Sequence, residues 1–288
     1  MMNISIIGAG KLGTCLGYAL AHKGYRIQAL SSRHLSSSAL SSKIIGQGKP
    51  LTDNIQAACE GKIIFLCLPD EEIVKVAEEL FRANLCWANK IVYHCSGLLS
   101  SRILKPLKDQ GAAIASFHPI QSFSQKDAPA TEFKGIYFGL EGDKKALDMA
   151  QKIVRQLEGH TLLLKEKDKA LYHAACSIAS NFFVVLLDMA TALLKQTGLS
   201  EKKILECLLP LVEGTLRNVN KFDTKAALTG PIARGDLKSV QKHLRALEKF
   251  PLYQDLYKKL AAHALEIAGS EKLPRQKIRA LKKMLGHK

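Results

Sequence analysis

The sequence predicts an α/β fold: a mostly parallel, doubly wound sheet domain followed by an all-helical domain. Three observations predict it. Short β-rich runs alternate with amphipathic helical stretches over the first 165 or so residues, which is the rhythm of βαβ units. A glycine-rich hexapeptide, Gly8-Ala9-Gly10-Lys11-Leu12-Gly13, follows the first of those runs and opens a helix. After Leu164 the β-rich runs stop.

Taken in order, the expected strands are residues 3–7, 26–30, 63–68, 91–94, 113–117, 136–140 and 161–164. Amphipathic stretches such as 71–82 and 144–158 fall between them. Residues 165–197 read as one long helix closed by Gly198. Ser200 caps the next helix, with Glu201 just inside it, and Pro210 is expected to kink or break it. Residues 222–235 read as a loop containing Thr-Gly-Pro-Ile-Ala-Arg-Gly-Asp. Asp236 then caps a further helix, and Pro251 begins another. The expected domains are therefore 1–165, binding a dinucleotide, and 166–288, helical and serving substrate and dimerisation.

Composition narrows the class. The chain has 288 residues, 47% of them apolar, which is enough for two modest cores and argues against global disorder. The first apolar residues run straight into the glycine motif and read as a strand rather than a signal peptide. No apolar run is expected to reach the roughly 18–20 residues of a membrane span. The richest one, residues 178–194, carries Asn181 and Asp188 and reads as a buried helix. Seven scattered cysteines without a Cys-x-x-Cys pair fit free thiols in a reducing cytoplasm, and no metal site is expected. The net charge of +16 raises nucleic acid as a partner. However, the cations dot predicted helix surfaces and a basic amphipathic tail, and no aromatic-basic motif accompanies them. A solvated surface that steers small anions is the better reading.

The glycines carry the first chemical argument. Gly8 permits a tight turn, Gly10 lets the backbone approach a pyrophosphate, and Gly13 allows close helix–strand packing. Lys11 and Leu12 open the helix whose free N–H groups face the anion. About twenty residues on, where an acid would bind a ribose diol, stand Ser31, Ser32 and Arg33. Two hydroxyls and a guanidinium suit a 2′-phosphate, so NADP is expected over NAD. Leu68, Pro69 and Cys95 fall at strand ends, where such sheets bind the rest of the cofactor; for Pro69, with Asp70, a structural turn and helix cap is the better reading.

Four places offer groups for a reacting carbonyl. His118, just past a strand and fixed by Pro119, is a candidate proton donor, or a loop histidine that satisfies backbone groups. Ser96 ends a strand within reach of a carbonyl and also suits an N-cap for a helix near Leu98. His173, Ser177 and Asn181 recur at i, i+4 and i+8, one stripe of the long helix; a buried polar stripe is functional or pairs internally. Thr229, Gly230 and Arg234 lie in a stiff Gly-Pro turn, where Arg234 either clamps a carboxylate or pairs with Asp236.

Together these stretches carry a resemblance. The motifs GAGKLG, HCSG, FHPIQSF, YHAACSIASN and LTGPIARGD resemble a bacterial family of NADP oxidoreductases. The helical half of that family was long catalogued as a domain of unknown function. Its architecture is similar to 6-phosphogluconate dehydrogenase-like enzymes with a Rossmann-type first domain. The resemblance implies roles for His118 and Ser96 like those of the His-Pro histidine and strand-end serine of prephenate dehydrogenases. It implies that Asn181 matches the asparagine of the Lys-x-x-x-Asn pair of β-hydroxyacid dehydrogenases. The lysine position of that pair falls on Ser177, a departure that turns attention to His118 or His173 as proton donor. Some family members act as an alternative ketopantoate reductase.

The reading that follows is an NADPH-dependent, cytoplasmic reductase of a small 2-oxo acid, 2-dehydropantoate first, dimeric through its helical half. His118, Ser96, His173 and Asn181 would be catalytic; Ser177, Thr229, Gly230 and Arg234 would bind substrate. The alternatives are an imine or prephenate-like oxidoreductase and a non-catalytic nucleotide-sensing or nucleic-acid-binding protein.

Overall fold

A computed structural model describes residues 2–126 and 130–286. Eight strands form one sheet: β1 (Asn3–Ile7), β2 (Arg26–Ser31), β3 (Lys49–Leu51), β4 (Ile63–Leu66), β5 (Ile91–His94), β6 (Ala113–Pro119), β7 (Tyr137–Gly142) and β8 (His160–Leu163). Their order is 3-2-1-4-5-6-7-8, and every neighbouring pair is parallel except β6 and β7. This is the expected doubly wound, Rossmann-type arrangement, whose order reverses between β1 and β4.

The side-chain alternation of the central strands divides two cores. Phe65, Tyr93 and Phe117 face one side, where their rings meet at 5.0–5.5 Å and pack with the helices Lys11–His22 and Lys144–Gln156. Ile64, Leu66, Val92 and Ile114 face the other, against the helices Asn54–Glu60 and Asp70–Arg82. Each such fully buried side chain contributes about 1.5–3 kcal/mol. Both faces are covered, so the strands read as near-continuous apolar runs.

Some expectations need correction. β3 was not expected; it has three residues, includes Pro50, and survives because it is an edge strand. The helix expected over 165–197 breaks into Lys169–Ala179 and Asn181–Lys195 at Ser180 (φ −114°, ψ −70°). The loop expected over 222–235 holds two short helices, Thr224–Ala227 and Gly230–Arg234, the second closed by Gly235 at φ 66°. The apolar run is not buried: Val184 is 63% and Ile178 62% exposed. By length and apolarity alone the stretch Glu166–Lys195 is also sufficient to cross a membrane, contrary to the expectation from composition.

Compact units divide at Phe182/Phe183. The second unit is helical. Ile232, Val240, Leu265, Leu281 and Leu285 form its core, so the basic tail helix Arg275–Leu285 packs into it. The helix Glu201–Lys221 runs through Pro210, and Ser200 and Asp236 cap as expected.

Candidate functional site

The glycine turn is built as its spacing requires. Gly8 has φ 105°, and a Cβ there would lie 2.3 Å from the Cys67 carbonyl oxygen. A Cβ on Gly13 would lie 2.1 Å from the Gly8 carbonyl oxygen. A Cβ on Gly10 would meet nothing within 4 Å, so its backbone faces open space. That space belongs to a cleft of about 270 Å³ lined by Gly8, Ala9, Gly10, Ser32, Arg33, Leu68 and Pro69, among others. The first turn of the helix, Lys11 and Leu12, follows directly. Open backbone at a helix N-terminus, ringed by strand ends, fits a dinucleotide pyrophosphate.

The structure changes part of the 2′-phosphate expectation. Ser31 is fully buried; its hydroxyl donates to Asn54 Oδ1 (2.8 Å), and its carbonyl accepts from the Gly8 and Ala9 N–H groups. It builds the glycine turn and does not face the cleft. Ser32 lines the cleft but donates its proton to the His34 carbonyl (2.7 Å). Arg33 is exposed at the rim. Glu72 also lines the cleft; its carboxyl is held below the usual range by Lys75 at 2.8 Å and, more weakly, by Arg33. Cys95 is buried behind the cleft wall, its sulfur 3.6 Å from that of Cys67, which does line the cleft.

At the carboxyl ends of β5 and β6 a polar cluster forms. Gly97 is its pivot: a Cβ there would lie 2.7 Å from His173 Cδ2 and 2.9 Å from both Cε1 and Nε2 of His118. The two imidazoles thus flank one stretch of backbone, their rings 6.2 Å apart. Parallel register sets Ser116 beside His94, which places His118 and Ser96 at one edge; the helix Lys169–Ala179 brings His173 to them.

His118 Nδ1 lies 2.7 Å from the Tyr172 hydroxyl. Burial, the Lys169 charge and His173 push the His118 pKa down to about 4, and burial pushes that of Tyr172 up. With the phenol O–H as donor to Nδ1, the ring proton sits on Nε2, the nitrogen next to Gly97.

Lys169 completes the cluster, and the sequence reading missed it. Its side chain is 2% exposed, and Nζ donates to Ser116 Oγ (2.6 Å) and the Ser96 carbonyl (3.1 Å). Burial lowers its pKa to about 8, against the raising effect of Glu141, Asp70 and Cys95. Glu141 is itself buried and bonded twice to Ser101. The signal was present: Lys169 precedes His173 by four residues, one helical turn on the same face.

Not every expected residue joins. Ser96 Oγ accepts from the N–H groups of Leu98 and Leu99, so it caps the turn that follows β5. Ser177 is half-buried. His173 is likewise only half-buried and Asn181 is exposed beyond the break at Ser180, so the expected buried polar stripe does not form. In the helical unit, Thr229 and Arg234 are exposed and Gly230 has φ 91°. The loop there is pinned by Asp236, whose carboxylate accepts from Ser239 N–H and Oγ; these bonds, more than the Arg234 charge, hold its pKa down. Among the described residues no cluster of three metal-ligating side chains occurs.

Two family models match, a Rossmann-like domain over residues 1–119 and DUF2520, a domain of unknown function, over 136–264. Protein TM1727 of Thermotoga maritima is 31% identical over 94% of this chain and all of its own, with a TM-score of 0.72. The chain belongs to the Rossmann-like DUF2520 family. Another structure similar to this DUF2520 protein is BF3122 of Bacteroides fragilis, provisionally named an NADP oxidoreductase. It is 25% identical, covers 92% of this chain and 98% of its own, and has a TM-score of 0.77. A reductive aminase of Aspergillus terreus, solved with NADPH and ethyl levulinate, shares the fold at 15% identity, 98% and 99% coverage and a TM-score of 0.64. The DUF2520 protein matches no curated protein.

Proposed function

We propose that this DUF2520 protein is an NADP-dependent oxidoreductase that reduces a small 2-oxo acid, with 2-dehydropantoate as the substrate. The observation that carries the reading is Gly97, held between His118 and His173 at the carboxyl ends of β5 and β6, strands that follow β1 and β4 in the sheet. Bound NADPH would supply the hydride. Gly8, Gly10 and the first turn at Lys11 and Leu12 would hold its pyrophosphate, Arg33 its adenosine end with Ser32 in the wall beside it, and Leu68 and Pro69 would form the wall beyond.

The protein's part is to receive negative charge on the carbonyl oxygen. His118 Nε2–H donates a hydrogen bond there as a neutral ring, since its depressed pKa leaves no second proton to give at pH 7. Lys169 Nζ, with a pKa of about 8, holds the proton that the alkoxide needs. His173 positions the oxygen from the other side of Gly97. Ser96 and Ser116 fix the lysine. Asn181, Ser177, Thr229, Gly230 and Arg234 stay candidates on their chemistry alone, Arg234 for the carboxylate. Domain limits of 1–165 and 166–288 remain part of this reading; they place the helix Lys169–Ala179 with the helical half, whereas compactness groups it with the sheet. Following NADPH absorbance with 2-dehydropantoate tests the substrate; turnover only on other oxo acids removes it and keeps the class.

The likeness to a reductive aminase favours imine reduction as the second reading. A cyclic imine turned over faster than any 2-oxo acid would establish it.

We further propose a cytoplasmic homodimer. Leu171, Ile178, Phe182 and Val184 are each more than half exposed on one chain, and a second copy would cover them. Light scattering that gives a monomer mass, with Val184→Asp unchanged in mass, would reject it.

A further inference from the structure

We propose that Lys126 is the second cation for the dinucleotide's 2′-phosphate, and so sets the preference for NADPH over NADH. This rests on the cofactor reading above, but its observation is separate. Lys126 comes from the segment after β6 and reaches across 89 positions of sequence to donate to Ser37 Oγ at 2.8 Å, with Ser41 Oγ at 3.5 Å. Ser37 lines the cleft and sits in the first turn of the helix Leu35–Ile45, directly after the end of β2. That is the side on which the adenosine ribose is read.

The ammonium rests on a ridge of hydroxyls tied to the glycine turn. Ser37 Oγ and Ser41 Oγ donate to the Ala9 carbonyl at 3.4 and 3.2 Å. Thr14 Oγ1 lies 2.7 Å from Ser41 Oγ and donates to the Gly10 carbonyl. The segment is moored from below, where the buried Cys15 thiol donates to the carbonyls of Gln125 and Lys126, each at 3.4 Å. Among the described residues no carboxylate pairs with Lys126; its contacts are the two serines.

The charge balance of the cleft calls for such a group. Ser31 is spent on Asn54, Ser32 on His34, and Glu72 adds a negative charge to the wall. Arg33 alone, exposed at the rim, would hold a dianionic phosphate weakly in water. A second cation, positioned by the Ser37 and Ser41 oxygens, makes a two-sided site.

The test is equilibrium binding of NADPH and NADH to the full chain carrying Lys126→Ala, Lys126→Arg or Arg33→Ala. Loss of one charge-assisted contact predicts a rise in NADPH Kd of about tenfold or more in Lys126→Ala. NADH Kd should stay within about twofold, the salt dependence of NADPH binding should weaken, and Lys126→Arg should restore it. An unchanged NADPH Kd, or an equal loss for both coenzymes, overturns the inference. Wild-type protein that binds neither coenzyme defeats the cofactor reading itself. Wild-type protein that binds NADPH and responds to Arg33→Ala but not to Lys126→Ala defeats only this inference.

Discussion

The Tyr172 hydroxyl lies 2.7 Å from His118 Nδ1, joining the first turns of the helix Lys169–Ala179 to the end of β6. With the phenol as donor, the bond holds the ring and keeps its proton on Nε2. Tyr172→Phe frees Nδ1 to carry the proton and leaves Nε2 without one part of the time. We expect kcat to fall about tenfold, with KM for NADPH unchanged and circular dichroism intact. Steady-state kinetics on the variant check this; equal kcat would remove the phenol from the mechanism.

Gly97 admits no side chain. Its substitution tests packing rather than backbone strain, because Gly97 does not adopt a positive φ. Gly97→Ala must push both imidazoles aside. We expect a stability loss of about 1–3 kcal/mol and a much larger fractional loss of turnover. Chemical denaturation and kinetics on the same sample separate the two.

Lys169 trades stability for charge. Its folded pKa of about 8 lies below the ordinary lysine value, so the unfolded chain binds more protons between that pH and about 10.5. Stability therefore rises with pH through that window and is lost as pH falls. Lys169→Met should flatten the rise, raise urea resistance at pH 7, and abolish most activity. A variant less stable than wild type at pH 7 would contradict the argument.

Two histidines bias the acid side. Burial holds His94 down to about 3 and His118 to about 4, so both stay neutral in the fold. Unfolded rings protonate below about 6.5. Each therefore contributes stability that is present above that value and declines by up to about 1.4 kcal/mol per pH unit toward its folded pKa. Urea midpoints at pH 7, 5.5 and 4.5 should fall steadily. A His94→Gln variant should show a shallower slope; an identical slope would place the acid sensitivity elsewhere.

Cys67 faces the cleft, yet its thiol is a poor nucleophile, because the bond to Cys95 and burial push its pKa up. Iodoacetamide should label exposed Cys59 and Cys86 well before Cys67. Mass spectrometry of a time course reads this directly, and early labelling of Cys67 would refute it.

Much was legible in sequence. Seven of the eight strands follow from local apolar periodicity, which acts over a few residues and needs no partner. The roles of Gly8 and Gly13 follow from the motif, because the turn and the helix contact are local too. His118, Ser96 and His173 were legible as polar groups at strand ends or on a helix face.

What the sequence determined by itself was the class of fold, the glycine turn and the residue types at the strand ends. Tertiary structure decided which of them meet. It turned Ser31 inward to Asn54, buried Lys169 against Ser116, set Tyr172 on His118, and brought Lys126 to Ser37. The reason is physical: secondary structure depends on spacing along the chain, whereas a proton's affinity and a partner's reach depend on which distant segments exclude water from the same few ångströms.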